Sequence, residues 1–270
     1  MENQDTSSSP EIQEEELSHS DKMIGVFSEP TSTFEKTAKF SPKTMDWFLP
    51  ILLLAVLISI QQILYRSNPD MAYQLKQKQM EAIEKRLDAQ VESGAITREQ
   101  ANQQRDMIES RMDQMGGGIT LVITIITIWV AIFVFFFILA GIYFLFVKFL
   151  LKGEGGYSSV LVASGLSAYI GILGAIVITI VSLLAGKLFA DTSVASFMGS
   201  DKSTLVGWLL AKLDIFGIWS YIVFAIGLAK MFKSSSTQKY IVLVFGLWII
   251  GGLLLFFLAK VVPFLKNFGI

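Results

Sequence analysis

Residues 119–147 run for twenty-nine positions without a charged side chain. As an α-helix they measure about 43 Å, against roughly 30 Å of bilayer hydrocarbon. A helix buried in a water-soluble domain seldom stays apolar on every face for that length. Here Leu, Ile, Val and Phe lie all round, with Trp129 and Tyr143 among them. The stretch reads as a membrane span, tilted or projecting past one interface, and every other segment must accommodate it.

Four more apolar runs, at 47–65, 160–186, 205–229 and 240–259, predict an all-α polytopic protein: a five-helix transmembrane bundle. Hydrophobic residues make up 53% of the chain and mean hydropathy is +0.56, while the 17% charged residues gather between the runs. A net charge of −1 gives no basic field for nucleic acid. There is no cysteine, so disulfides, thiolate nucleophiles and cysteine metal sites are excluded. The one histidine, His19, stands among polar residues and supplies neither a metal cluster nor a triad. No cofactor is expected, and no catalytic residues present themselves.

Residues 1–23 carry seven acids before any base except Lys22. Such a stretch buries too little apolar surface to order itself and reads as a disordered tail rather than a secretory signal. Residues 24–46 change character. Pro30 suits a first helical turn, Ser32 and Glu35 have capping-box spacing, and Phe27, Phe34 and Phe40 alternate with Lys36, Lys39 and Lys43. That pattern fits an amphipathic segment in the headgroup layer, or else a linker packed on the bundle. Ser41 and Pro42 then read as the start of the first span, with Pro50 near its beginning.

Residues 66–118 form a polar module with eight bases and nine acids up to residue 116. Met80, Ile83, Leu87 and Val91 recur at helical spacing, Gly94 stops that helix, and Thr97 with Gln100 opens another. Its stripe is Ala101, Gln104, Ile108, Met112 and Met115. An extramembrane helical hairpin of coiled-coil character is expected, closed on itself or receiving a partner helix.

In the third run Ala163, Ser167, Gly171 and Ala175 repeat every four residues, a small-residue ridge for helix packing. The fourth run contains Lys212 and Asp214. Ionisable groups at membrane depth are functional suspects, but two residues apart they do not share a helix face. Either they mark a polar site, or Leu213 begins the true span and Lys212 snorkels. Residues 261–270 read as an interfacial tail. Bases near the span ends at 36–43, 148–152 and 230–239 favour a cytoplasmic N-terminus, although a raw count that includes the hairpin favours the reverse.

Certain residues resemble the Yip1 domain family. Pro30 to Phe34 is similar to its Pro-Thr-x-x-Phe element before the first span. Lys152–Tyr157 resembles its Gly-rich loop, and Asp214, Phe216, Trp219 and Gly227 resemble its fourth span. The likeness spans about residues 24–260. It implies five spans with the N-terminus in the cytoplasm. Eukaryotic members act in vesicle traffic and associate with small GTPases; some bacterial-looking ones accompany transport machinery. The third span lacks a proline often found in eukaryotic members, and the hairpin looks like an added module. With the absence of organelle-sorting signals and the compact length, the added hairpin favours a prokaryotic cytoplasmic (cell inner) membrane. The expected role is a non-enzymatic scaffold or accessory subunit in contact with lipid and with other membrane proteins or itself. The alternative is a small transporter or channel using Lys212 and Asp214.

Overall fold

The structure is a computed structural model that describes residues 15–114 and 116–261, with side chains for all of these but 112–114, 116–117 and 261. The first fourteen residues of the expected tail, and the interfacial end from 262 on, lie outside it. So do the Met112 and Met115 side chains of the hairpin stripe.

Every element among the described residues is helical, and no strand occurs. Four helices are long and apolar enough to cross a membrane. They are α3 (Met45–Ser67), α6 (Gly116–Leu145), α7 (Tyr157–Ala185) and a continuous run over Thr237–Lys260. Helix α6 continues through a wider π turn at Phe146–Leu150. The last run consists of α11 (Thr237–Gly246), a π turn at Leu247–Gly251 and α12 (Gly252–Val261).

The fourth expected span differs. It is divided at Leu213–Asp214 into α9 (Leu205–Lys212) and α10 (Ile215–Met231). Leu213 leaves helical geometry at φ −84°, ψ 71°, and its carbonyl accepts from the Val194 amide at 3.0 Å. Asp214 then starts a fresh helix as N-cap, accepting from the Phe216 amide. Helix α10 has 17 residues, about 25 Å. The short α8 (Val194–Met198) closes the loop opposite this break.

Before the bundle come α1 (His19–Ser28) and α2 (Pro30–Thr37). Residues 19–23, expected in the acidic tail, are the first turn of α1. The signal is local: Ser18 and Asp21 form a reciprocal capping box. Pro30 holds the first position of α2, and the Ser32–Glu35 pair is not its cap. Nor do Ser41 and Pro42 open α3, which starts at Met45 behind Thr44. Within 24–46, Val26 and Phe34 are fully buried against the bundle, while Ile24 is exposed.

Between α3 and α6 stand α4 (Pro69–Glu92) and α5 (Arg98–Gln114). Asn68 caps α4 through the Asp70 and Met71 amides. Gly94 turns the chain at φ +73°, a conformation that costs glycine little. Thr97 and Gln100 bond reciprocally at the start of α5. Leu87 and Ala101 are buried, whereas Gln104, expected on the inner stripe, is exposed.

Core packing runs along α7. Its contacts with α3 are close enough that a Cβ on Gly165 would lie 2.2 Å from Trp47 Cα. Where α7 faces α10, a Cβ on Gly174 would come 2.9 Å from Phe216 Cβ. Ser220 donates to the Ser167 carbonyl at 3.2 Å, also between α10 and α7. Helix α6 joins α3 through Trp129 Nε1 donating to Ser59 Oγ at 2.8 Å.

Candidate functional site

Two polar constructions lie along α7, the first meeting it at Tyr169 and the second at Gly171, Ala175 and Thr179. The first was not foreseen. Asp46, in the first turn of α3, is 1% exposed, as is Lys22 from α1. A buried charge is tolerated only when paired and hydrogen-bonded, and both conditions hold. Lys22 Nζ donates to Asp46 Oδ2 at 2.6 Å and to Glu16 Oε1 at 3.3 Å. His19 Nδ1 lies 2.8 Å from Asp46 Oδ1, and its Nε2 lies 2.7 Å from the Tyr169 hydroxyl on α7. Lys43 completes the set, 2.7 Å from Glu16 Oε2. These bases hold the Glu16 carboxyl below its ordinary range; Lys43 acts most strongly, and desolvation opposes it. His19 and Lys22 occupy adjacent turns of α1 and face α3 and α7 together. The available signal was the capping box, which orders α1 and brings His19 out of any tail.

Beside this cluster some residues of the resemblance meet: Phe34, Trp219 and Gly227, whereas Asp214 and Phe216 line the second construction's cavity. Phe34 is fully buried over Gly227, where a Cβ would stand 2.8 Å from its ring. Phe27 meets Trp219 edge to face, ring centres 5.8 Å apart. Lys230 and Glu35 pair at 2.6 Å across α10 and α2. Pro30 turns the chain between α1 and α2, so that Phe34 comes down on Gly227. In the Gly-rich loop, a Cβ on Gly155 would come 2.9 Å from the Met231 carbonyl oxygen. Glycine is needed there for close approach.

The second construction holds the expected Lys212 and Asp214, and separates them. Lys212 points its ammonium over Trp208 (4.7 Å) and Trp248 (5.1 Å), a cation–π arrangement. Asp214 instead accepts from the Phe216 amide and from the Thr192 hydroxyl. It lines a cavity of about 370 Å³ with Gln61, Ser220 and Tyr221. Gln61 spans the gap to α7, donating to Thr179 at 2.8 Å. The small-residue ridge divides: Ala163 and Ser167 are buried, whereas Gly171 and Ala175 line this cavity.

Nearby, Asp191 accepts from Ser193 and pairs with Lys202. Burial alone would raise its carboxyl, but the Lys202 ammonium and the Ser193 hydroxyl outweigh it and hold it below the ordinary range. No group of three metal-ligating side chains occurs among the described residues.

Comparison with curated proteins and with solved structures returns no match. The Yip1 domain profile matches residues 24–259, nearly the whole chain, from the middle of α1 to the end of the last apolar run. That range contains Phe34 and Gly227, which the fold brings together from opposite ends of it. The chain is an integral membrane protein of the Yip1 domain family.

Proposed function

We propose that the protein is a non-enzymatic scaffold, an accessory subunit that presents a rigid two-helix arm to a partner in the same membrane. One observation carries this reading: the arm is fixed at its foot. The Gln74 amide donates to the Gly186 carbonyl at 2.9 Å and accepts from the Leu188 amide at 3.1 Å. Lys78 donates to the Leu188 carbonyl at 3.1 Å. Met71 is buried against Tyr65 and Leu188. A swinging linker does not need three side-chain bonds to a distant loop. A presenting arm does, because preorganisation lowers the cost of binding.

In this reading α10 is the fifth crossing. Its 17 residues reach the lower limit for a span. The N-terminus is cytoplasmic, since Lys36, Lys43, Lys148, Lys152, Lys230 and Lys233 all belong to the segments that join the elements at the α1–α2 end. The arm then stands in water on the opposite side of a prokaryotic cytoplasmic membrane.

Affinity purification of the full chain in mild detergent is expected to recover a stoichiometric membrane partner. Replacing residues 80–112 by a short Gly-Ser turn, which spares the foot, is expected to release it. Recovery of the bare protein in both cases would overturn the proposal. The cavity beside Asp214 favours one alternative, a small transporter. In that case Asp214→Asn would abolish a flux in proteoliposomes while leaving the partner bound.

A further inference from the structure

The cavity of about 370 Å³ beside Asp214 is bounded by α3, α7, α10 and the loop that leads into α8. Its charges do not cancel. Asp191 lines it and is neutralised by Lys202, whereas Asp214 makes no ion pair among the described residues. Lys212, two positions before Asp214, is turned to its indole rings and does not line the cavity. A single negative charge is left at the wall. Both hydrogen bonds that Asp214 accepts, from the Thr192 hydroxyl and the Phe216 amide, end on Oδ1. Oδ2 accepts none among the described residues. Gly217 leaves that oxygen uncovered, since a Cβ there would stand 3.1 Å from it. From α3, Gln61 gives its amide nitrogen to Thr179 and Tyr65, which leaves its carbonyl oxygen without a donor among the described residues. The Thr192 and Ser220 hydroxyls already donate elsewhere. Ile58, Ile178 and Tyr221 complete the wall with apolar surface.

We infer that this cavity binds a small organic cation, a primary ammonium group on a short apolar body. The ammonium donates to Asp214 Oδ2 and to the Gln61 carbonyl, a charge-assisted arrangement, and the body lies against Ile58, Ile178 and Tyr221. A carboxylate with no counter-charge is costly away from bulk water, and a ligand that brings both the charge and the N–H groups relieves that cost. The volume lies within the roughly 300–1,000 Å³ of small-ligand sites. A divalent metal fits poorly, because two open oxygens fall short of the roughly six to eight that calcium takes. The site gives a ligand class to the cavity on which the transporter alternative rests. It needs neither a flux nor the arm's partner, and so stands apart from the scaffold role.

The test is scintillation-proximity binding of radiolabelled butylamine to the full chain in detergent at pH 7, where the amine is cationic. Saturable binding to wild type is expected. The uncharged 1-butanol should compete at least about tenfold more weakly than butylamine, and so should tetramethylammonium, which has no N–H to donate. Asp214→Asn keeps the helix cap and should weaken binding about tenfold or more, as for the loss of one hydrogen bond to a charged group. Gly171→Leu grows from the cavity wall into space where nothing lies within 4 Å of an added Cβ, and should block binding. Asp201→Asn, at an exposed acid outside the cavity, should leave it unchanged. A thermal melt of each variant reports folding, and should Asp214→Asn or Gly171→Leu fail it, the other decides. Absence of saturable binding to wild type would overturn the proposal, as would equal competition by 1-butanol or tetramethylammonium. So would an Asp201→Asn loss equal to that of Asp214→Asn, which would mean diffuse attraction. Displacement of butylamine by millimolar sodium ion would overturn the organic ligand in favour of a metal-cation site. None of these readings depends on whether the arm retains a partner.

Discussion

Asp46 and Asp214 stand at the ends of apolar helices, yet the fold treats them in opposite ways. Asp46 is fully buried, and its partners come from 24 and 27 residues away, on α1. Asp214 is partly exposed and accepts from the amide two residues on and from the neutral hydroxyl of Thr192, 22 residues away. Its sequence neighbour Lys212 turns to indole rings instead. An opposite charge nearby in sequence therefore says little about pairing on a helix. What decides is whether the carboxylate can reach free backbone N–H groups at a helix start. Asp214 can, and tolerates partial exposure; Asp46 is covered by α1 and needs a full counter-charge.

The contrast breaks most sharply if Asp46 loses its counter-ion. Lys22→Met should destabilise the protein by about 3 kcal/mol, because it removes the cation from a buried carboxylate and leaves only His19 beside it. Tryptophan-monitored unfolding in detergent reads this, with Trp47 adjacent to the affected residue. Lys22→Met combined with Asp46→Leu should recover most of the loss, since an apolar pair of similar volume avoids the desolvation cost. A single variant that melts like wild type would show that the pair does not form.

The next effect tests how α3 is seated. Gly165→Leu puts a side chain into Trp47, where even a Cβ would stand 2.2 Å from the main chain. A loss of about 3 kcal/mol or more is expected, at the upper end for overpacking. Gly171→Ala is the control: nothing lies within 4 Å of its added Cβ. Alanine's better helix propensity should leave it neutral or up to about 1 kcal/mol more stable. Equal losses at both glycines would mean that the α3–α7 crossing is not where the structure puts it.

The membrane helices were legible because uninterrupted apolar length leaves a bilayer as their solvent. The cap at Thr97 was legible because it uses residues three apart. The Lys22–Asp46 pair was not, since nothing local reports a contact across 24 positions. Acid-rich composition also concealed it: the charge pattern that argues against a core describes residues 1–23 as a whole, whereas Ser18 and Asp21 start a helix within them. The break at Leu213 was half visible. Lys212 and Asp214 argued against a span through them, but Asp214 as an N-cap needed the backbone of Phe216 to be seen. On α7 the four-residue ridge pointed to one face, while the closest approaches fall at Gly165 and Gly174, which lie outside that register. A periodicity marks small residues without saying which neighbour arrives.

Smaller effects probe the Asp214 end. Asp214→Ala should cost about 1 kcal/mol, the usual value for losing an N-cap side chain, and Asp214→Asn much less, because Asn also caps well. Unfolding midpoints of the two variants give the comparison directly. Equal losses would mean that charge, rather than capping, is what matters at Asp214, and would weaken its contrast with Asp46.

The smallest effect is a pH dependence in the loop beside it. The carboxyl of Asp191 is held below its ordinary value in the folded protein, so unfolding at mildly acidic pH takes up a proton. Its pairing with Lys202 therefore stabilises the fold above the unfolded carboxylate range, near pH 4. The contribution is lost as pH falls through the lower folded value. The Asp191 side chain is 39% exposed, and screening keeps the gain to about 0.5 kcal/mol. Asp191→Asn should melt slightly below wild type at pH 7, and the gap should close between about pH 5 and pH 3. Raised salt should narrow it at pH 7 as well, because a half-exposed pair is screened. By contrast, the Lys22→Met deficit at Asp46 should be insensitive to salt, since no ions reach a pair that is 1% exposed. A gap at Asp191 that persists at pH 3 would trace the loss to the Ser193 hydrogen bond instead of the charge.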